Sequence, residues 1–371
     1  MKFGLSYEIS VPKPWTPDSE RQVFLDCLEQ VQVADEVGFE SVWAVEHHFF
    51  EEVAHSSAPE IFLTACAMTT KDIRIGSGIT ICVPQFNSPI RIAERYATID
   101  LLSKGRLDWG SGRSGTWYEL GGFSVDPDET KKTWDEYVRM IPKMWSQDVF
   151  SWEGRCFSMP ERPIIPKPYQ RPHPPLWVAV TSPGTEIDAA ERGMGALGLS
   201  WGGIKSHADK IARYKDRIEH CEPVGEFVTN KFYTVNYLFC HEDHDYAVRM
   251  GESLADHVQY GTAQTVGTRE ATISQAYPDF AAALEGFNPA SPSPTRAFIP
   301  EGLTVGDPDH LVETLKLWES TGADGVNFII NSHNVVPQQE VLDSLRLFAR
   351  EVMPHFDPDA RARQEALAVK A

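Results

Sequence analysis

Residues 34–47 read ADEVGFESVWAVEH, and the change of period at their single glycine decides the fold. Upstream, from Ser19 to Val37, apolar residues at Phe24, Cys27, Leu28, Val31 and Ala34 fall on one helical face. Gly38 supplies the left-handed residue that ends this helix, and FESVWAVEH follows as a strand. The same order of helix, glycine and strand returns at AAERGMGALGLSW (189–201) and at WESTGADGVNFIIN (318–331). It is the second half of a βαβ unit.

The first half shows in its start signals, a polar cap followed by proline at the first helical position: Ser88-Pro89, Ser182-Pro183 and Asp307-Pro308. Candidate strands are Lys2–Glu8, Phe39–Glu46, Ile73–Val83, Arg106–Gly110, Pro175–Thr181, Ala196–Trp201, Thr229–Cys240 and Gly325–Asn331. Eight strands interleaved with helices along the chain predict an α/β fold, a (β/α)8 TIM barrel, in preference to a six-stranded open sheet with an appended domain. Residues 1–357 form this one domain, and 358–371 are a C-terminal tail. Two insertions interrupt it. Residues 150–175, proline-rich and carrying Trp152, Cys156 and Phe157, precede the fifth strand; residues 260–303, rich in Gly, Pro, Ala and Ser, follow the seventh. An irregular stretch of the second length at a barrel mouth reads as a mobile lid, or else as an insertion without a role.

Composition narrows the partners. Lys and Arg number 34 against 53 Asp and Glu, a net charge of −19 that repels polyphosphate backbones and anionic membranes, and no basic patch offsets it. Nucleic acid and membrane are therefore not expected partners. No apolar run reaches the ~18 residues of a membrane span. The N-terminus enters strand-like sequence without a secretory signal, and six cysteines without CxxC spacing read as reduced packing residues. A cytoplasmic location is expected.

The stretch GSGRSG (110–115) has the letters of a dinucleotide turn, but such a turn must open a helix at its last glycine. TWYELGGFSVDP follows instead, and the next plausible helix begins near Glu129. At a barrel strand end the glycines make room while Arg113 reaches an anion, unless it only pairs with a neighbouring acid. Thr181, Ser182, Gly184 and Thr185 follow the adjacent fifth strand and offer hydroxyl and N–H donors, so with Arg113 they form a candidate phosphate cup. Ser182 alone reads as a helix cap.

The second strand ends in Glu46, His47 and His48. Adjacent strand residues point to opposite faces and no third ligand has zinc spacing, so no metal is expected. Acid–base chemistry or simple packing both remain open for the histidines. Phe49, Trp117, Tyr118 and Trp201, near strand ends, either line an apolar pocket or pack the rim.

Taken together, WAVEHHF (43–49), IRIGSGITICVP (73–84), SPIRIAERYATIDLLSKGRLDWGSGRSG (88–115), WVAVTSPGTEIDAAERG (177–193) and VGDPDHLVETL (305–315) give the chain a resemblance, over residues 1–355, to the bacterial luciferase-like family of flavin-dependent monooxygenases. The resemblance implies a barrel that takes reduced FMN from a separate NAD(P)H-dependent flavin reductase. Reaction with O2 would give a C4a-hydroperoxyflavin that inserts one oxygen atom into a small, largely apolar organic substrate. It implies His47 as the catalytic histidine, with His48 and Glu46 shaping the site, and Arg113, Thr181, Ser182, Gly184 and Thr185 at the flavin phosphate. Trp201 is counted with the cofactor-binding residues, and Gly76-Ser77 marks the place of a non-prolyl cis peptide behind the flavin ring. A homodimer through the apolar helix at 58–70 is also expected. The chain departs from light-emitting members at Gly112, where they carry cysteine, and at Thr181, where they carry glutamate; the loop from Val83 to Ser88 is about two residues longer. Light emission is therefore not expected. The alternatives are a deazaflavin-dependent hydride-transfer oxidoreductase and a flavin-binding barrel without turnover.

Overall fold

The computed structural model describes residues 1–182, 184–199, 203–251, 253–254, 302–358 and 360. Eight parallel strands close on themselves: β1 (Lys2–Tyr7), β2 (Ser41–Ala44), β3 (Arg74–Ser77), β4 (Leu107–Gly112), β5 (Leu176–Val180), β6 (Gly195–Leu199), β7 (Phe232–Cys240) and β8 (Gly325–Ile329), with β8 pairing back to β1. This is the expected (β/α)8 barrel. Helix α1 (Ser19–Val37) ends on Gly38 at φ 90°, and Gly193 and Gly322 take φ 65° and 85°. The three glycines that announced the βαβ cadence thus occupy the left-handed region where side chains are disfavoured.

The strand expected at 73–83 is broken in two. β3 ends at Ser77; Gly78 still donates to Ala44 O at 2.8 Å, and the chain then crosses so that Thr80–Ile81 lies along β4. The proline-rich excursion contains an antiparallel hairpin, Phe150–Glu153 with Ser158–Arg162. It hangs from helix α5 (Thr130–Ser146, the fifth helix in chain order), where Glu136 accepts from Trp152 Nε1 and from the backbone N–H groups of Arg155 and Cys156. Of the expected lid, residues 260–301 lie outside the described residues, as does nearly all of the expected tail. Gly302 and Leu303 lead into a short strand, Thr304–Gly306, beside β7.

One set of apolar residues packs between barrel and helices, and a second fills the lumen. The lumen set is a layer of Trp43, Trp177, Leu197 and Tyr233, all at most 5% exposed. Each aromatic ring in it stands beside a glycine of the next strand: Trp43 pairs with Gly76, Trp177 with Gly195 and Tyr233 with Gly325. A Cβ at those glycines would lie 2.2, 2.5 and 2.9 Å from the ring atoms. The layer therefore interdigitates large side chains with none at all, as barrel interiors require. Beneath it Asp108 accepts from Trp177 Nε1 at 3.2 Å and from Arg74 Nε at 2.5 Å.

Candidate active site

Above the aromatic layer the inward positions open. Val45, Ile79, Ala179, Leu199, Val235 and Tyr237 are each partly exposed, whereas the described residues flanking them along the strands are buried, save Gly78 beside Ile79. The inward positions at the C-terminal end of the barrel are thus mostly apolar and reachable, at the usual seat of chemistry in this architecture. Strained backbone gathers around the same rim. Ile9 after β1, Phe49 after β2, Ser114 after β4, and Asn331, His333 and Asn334 after β8 all have positive φ between 47° and 71°. Non-glycine residues persist there only when their surroundings over-determine them.

His47 enters this mouth from the end of β2, its N–H bonded to Ser56 O and its ring edge-on to Phe50. Its Nδ1 lies 2.9 Å from Oε1 of Glu119, a residue with no exposed surface. Glu119 Oε1 also accepts from the His48 N–H at 2.9 Å, and Oε2 from Ser114 Oγ at 2.6 Å. Burial by itself would lower the His47 pKa, but the Glu119 charge and hydrogen bond, helped by Glu8 and Glu46, raise it to about 9. Glu119 moves the other way: burial works to raise it, and His47 with the surrounding donors brings it below the usual carboxylate range. At neutral pH the pair is an imidazolium against a carboxylate, with the side chain of His47 still 35% exposed toward the mouth.

Sequence reasoning missed Glu119 because it read Gly115–Pro127 as irregular. A helix does form there, α4 (Trp117–Gly122), directly behind Gly115. Its start is Thr116, whose side chain accepts from Glu119 N at 3.4 Å. Thr116-x-x-Glu119 is the capping-box spacing, the signal that announces a helix despite the two glycines at its end. Glu8 and Tyr237 were missed as well. Gly4, Ser6 and Glu8 alternate inward along β1 while Leu5 and Tyr7 pack outward, which brings the Glu8 carboxyl toward His47. Burial pushes Glu8 up, partly offset by His47, and pushes the Tyr237 phenol up with Glu8 adding to it.

The other expected site residues divide. Glu46 is buried and its oxygens are taken by Ile81 N at 2.7 Å and Asn87 Nδ2 at 2.8 and 3.1 Å, so it ties β2 to the third loop. His48 touches Glu46 at 3.3 Å and packs among Phe49, Phe86 and Phe123. Tyr118 joins this aromatic rim by stacking on Phe50, while Trp117 covers Gly121. Trp201 lies outside the described residues.

Gly76 and Ser77 are not joined by a cis peptide; the cis bonds among the described residues all precede proline. Both residues belong to the β2–β3 ladder, opposite Trp43 and Ala44, which holds them extended. Gly76 makes room for Trp43, and the buried Ser77 hydroxyl bonds Thr80, Gly110 O and Tyr96.

Arg113 stands at the end of β4, and Thr181 and Ser182 at the end of the adjacent β5. Arg113 Nη1 donates to Thr130 Oγ1 at 3.2 Å. Ser182 is not the cap expected of it: Gly184, at φ 81°, precedes α6 (Thr185–Glu191), and no side chain caps that helix. Thr181 and Gly184 are exposed, and a Cβ at Gly184 or Gly115 would meet nothing within 4 Å. One guanidinium with three hydroxyls beside open glycines is a donor set that fits a phosphate. Among the described residues no cluster of His, Cys, Asp and Glu is arranged to hold a metal ion.

Residues 1–325 match the family profile described as luciferase-like monooxygenase. The chain belongs to this family. Within it, the oxygenase component of the flavin-dependent trigonelline monooxygenase of Acinetobacter baylyi is 24% identical over 370 residues, 99% of this chain and 98% of that protein. Two Sinorhizobium fredii proteins, y4wF and y4vJ, are 32% and 29% identical, and the chain spans about half the length of each, 49% and 56%, with 46% and 51% of its own. The F420-dependent glucose-6-phosphate dehydrogenase of Amycolatopsis mediterranei is 27% identical over 50% of this chain and 56% of its own length. Among solved structures the monooxygenase RslO1 from Streptomyces bottropensis superposes with a TM-score of 0.77 at 25% identity, covering 96% of this chain and 100% of that one. Luciferase-like relatives thus include both flavin- and F420-dependent enzymes. No described helix is long and apolar enough to cross a membrane.

Proposed function

We propose that the chain is the oxygenase of a two-component flavin monooxygenase, using reduced FMN and O2 to place one oxygen atom in a small, largely apolar organic substrate. The observation that carries this reading is His47, held as a cation by buried Glu119 at the edge of an apolar mouth. Arg113, Thr181, Ser182, Gly184 and Thr185 would hold the FMN phosphate. Reduced FMN, when bound, supplies the electrons that activate dioxygen.

The chain's own residues do the rest. With Nδ1 facing Glu119, His47 presents Nε2 to the mouth and there holds or delivers a proton. Val45, Ile79, Ala179, Leu199 and Val235 exclude water from the reacting groups. Residues 260–303 are proposed to complete that exclusion as a lid.

The oxygenase component among the relatives supports a separate NAD(P)H-dependent flavin reductase as partner. The exposed Ile61 and Met68 of helix α2 (Pro59–Thr69) support a homodimer, and six unpaired cysteines fit the cytoplasm. Titration of the protein with FMN, reduced FMN and F420 tests the reading. Reduced FMN should bind in the micromolar range; no binding of either FMN form at high micromolar concentration would sink it. The F420-dependent relative favours a second reading, hydride transfer, which predicts that F420 alone binds. A flavin-binding barrel without turnover predicts FMN binding but no oxygen-dependent product.

A further inference from the structure

Three carboxylates face or flank the mouth on its β1–β2 side, and two of them are saturated with donors. Glu46 receives Ile81 N, Asn87 and His48; Glu119 receives His47, the His48 N–H and Ser114. Glu8 differs. It is half-buried at the end of β1, close enough to His47 for each to shift the other's titration and close enough to Tyr237 to raise that phenol, yet among the described residues its carboxylate accepts no hydrogen bond and forms no ion pair. Val45 flanks it on β2, Leu199 and Val235 line the mouth further round on β6 and β7, and His47 is the charged group beside it. The His47 charge offsets only part of the cost of burying the Glu8 carboxylate, which leaves room for a hydrogen-bond donor to meet it.

The charge of the mouth is also divided. Carboxylates lie at the ends of β1 and β2 and in α4, and the Arg113 cation follows β4. With the Glu119 charge met by His47, the Glu8 carboxylate is left without a hydrogen-bond donor and draws a cationic group.

We infer that Glu8 is a specificity-determining residue, and that the substrate is a small apolar molecule carrying a protonated amine whose N–H group the Glu8 carboxylate accepts. The inference rests on the oxygenase reading of this mouth and names a substrate class for it. One charge-assisted hydrogen bond there amounts to roughly a ten- to hundredfold preference over an uncharged molecule of the same shape.

Benzylammonium and its neutral isostere ethylbenzene are the probes, with dissociation constants measured by ligand-observed NMR on the full-length protein and FMN affinity measured by fluorescence on the same samples. Wild type should bind benzylammonium at least about tenfold more tightly. Glu8→Gln, which keeps the shape and breaks no hydrogen bond, should abolish the preference while leaving ethylbenzene and FMN affinities unchanged. Glu8→Asp should retain part of it. A preference for ethylbenzene in wild type, or the same discrimination in Glu8→Gln, overturns the inference. So does a Glu8→Gln protein that alters only the His47 titration, which would assign Glu8 to the histidine instead. FMN binding without probe discrimination sinks the Glu8 assignment alone; discrimination without FMN binding sinks the oxygenase reading alone.

Discussion

His47 and Glu119, 72 residues apart in the chain, meet at 2.9 Å on the rim of the barrel. The contact fixes which ring nitrogen faces the mouth and which charge the ring carries. A histidine there without the carboxylate would lose its proton to burial; with it the ring is charged at neutral pH.

Replacing Glu119 by Gln should therefore bring the His47 titration down from about 9 to the ordinary 6.5 or below, since burial then acts almost unopposed. Imidazole NMR shifts followed against pH read this directly. A midpoint still near 9 would assign the shift to Glu8 and Glu46 instead.

The same pair sets a pH dependence of stability. A base whose folded pKa is raised stabilises fully below its unfolded value and loses that contribution as pH climbs through the folded one. For His47 the window runs from about 6.5 to about 9. Urea midpoints should fall across this window in wild type more steeply than in His47→Asn, and parallel curves would show that the ion pair does not support the fold.

Gly76→Ala tests the lumen layer. Its methyl would lie 2.2 Å from Trp43 Cδ2, a ring locked by its Nε1 bond to Ser41. Overpacking of this kind costs about 1–3 kcal/mol or more, and pairing the change with Trp43→Leu should recover part of the loss. Unchanged denaturation would mean that the indole moves freely.

Arg113→Ala should weaken FMN by roughly ten- to hundredfold while leaving riboflavin, which lacks the phosphate, nearly unaffected. Equal losses for both would remove Arg113 from the phosphate.

His47→Asn should spare flavin affinity and cut product formation by roughly 10²- to 10⁴-fold, with hydrogen peroxide released in its place. Oxygen consumption and product measured together decide it; unchanged coupling would retire His47 as the proton-handling group.

The barrel was legible because its signals are local. Gly38, Gly193 and Gly322 each end a helix through their own backbone freedom, and Ser88-Pro89 and Asp307-Pro308 start two through the fixed φ and missing N–H of proline. His47 was legible by its place at a strand end, but its partner was not. Two glycines in ELGG argued against a helix that one threonine cap and packing against the barrel are enough to hold. Glu8 escaped notice because its inward direction follows from the closed sheet, and nothing in LSYEIS tells which face will be the lumen. Gly76 showed the reverse error: its place beside Ser77 suggested a special peptide, whereas its lack of a side chain serves Trp43.

The layer of Trp43, Trp177, Leu197 and Tyr233 makes the barrel a vessel open at one end. With those four side chains at most 5% exposed, the described residues fill the lumen above the Arg74–Asp108 base. A molecule that enters the mouth arrives over the loops, so evolution of the rim alone can change what is admitted while the floor stays as it is.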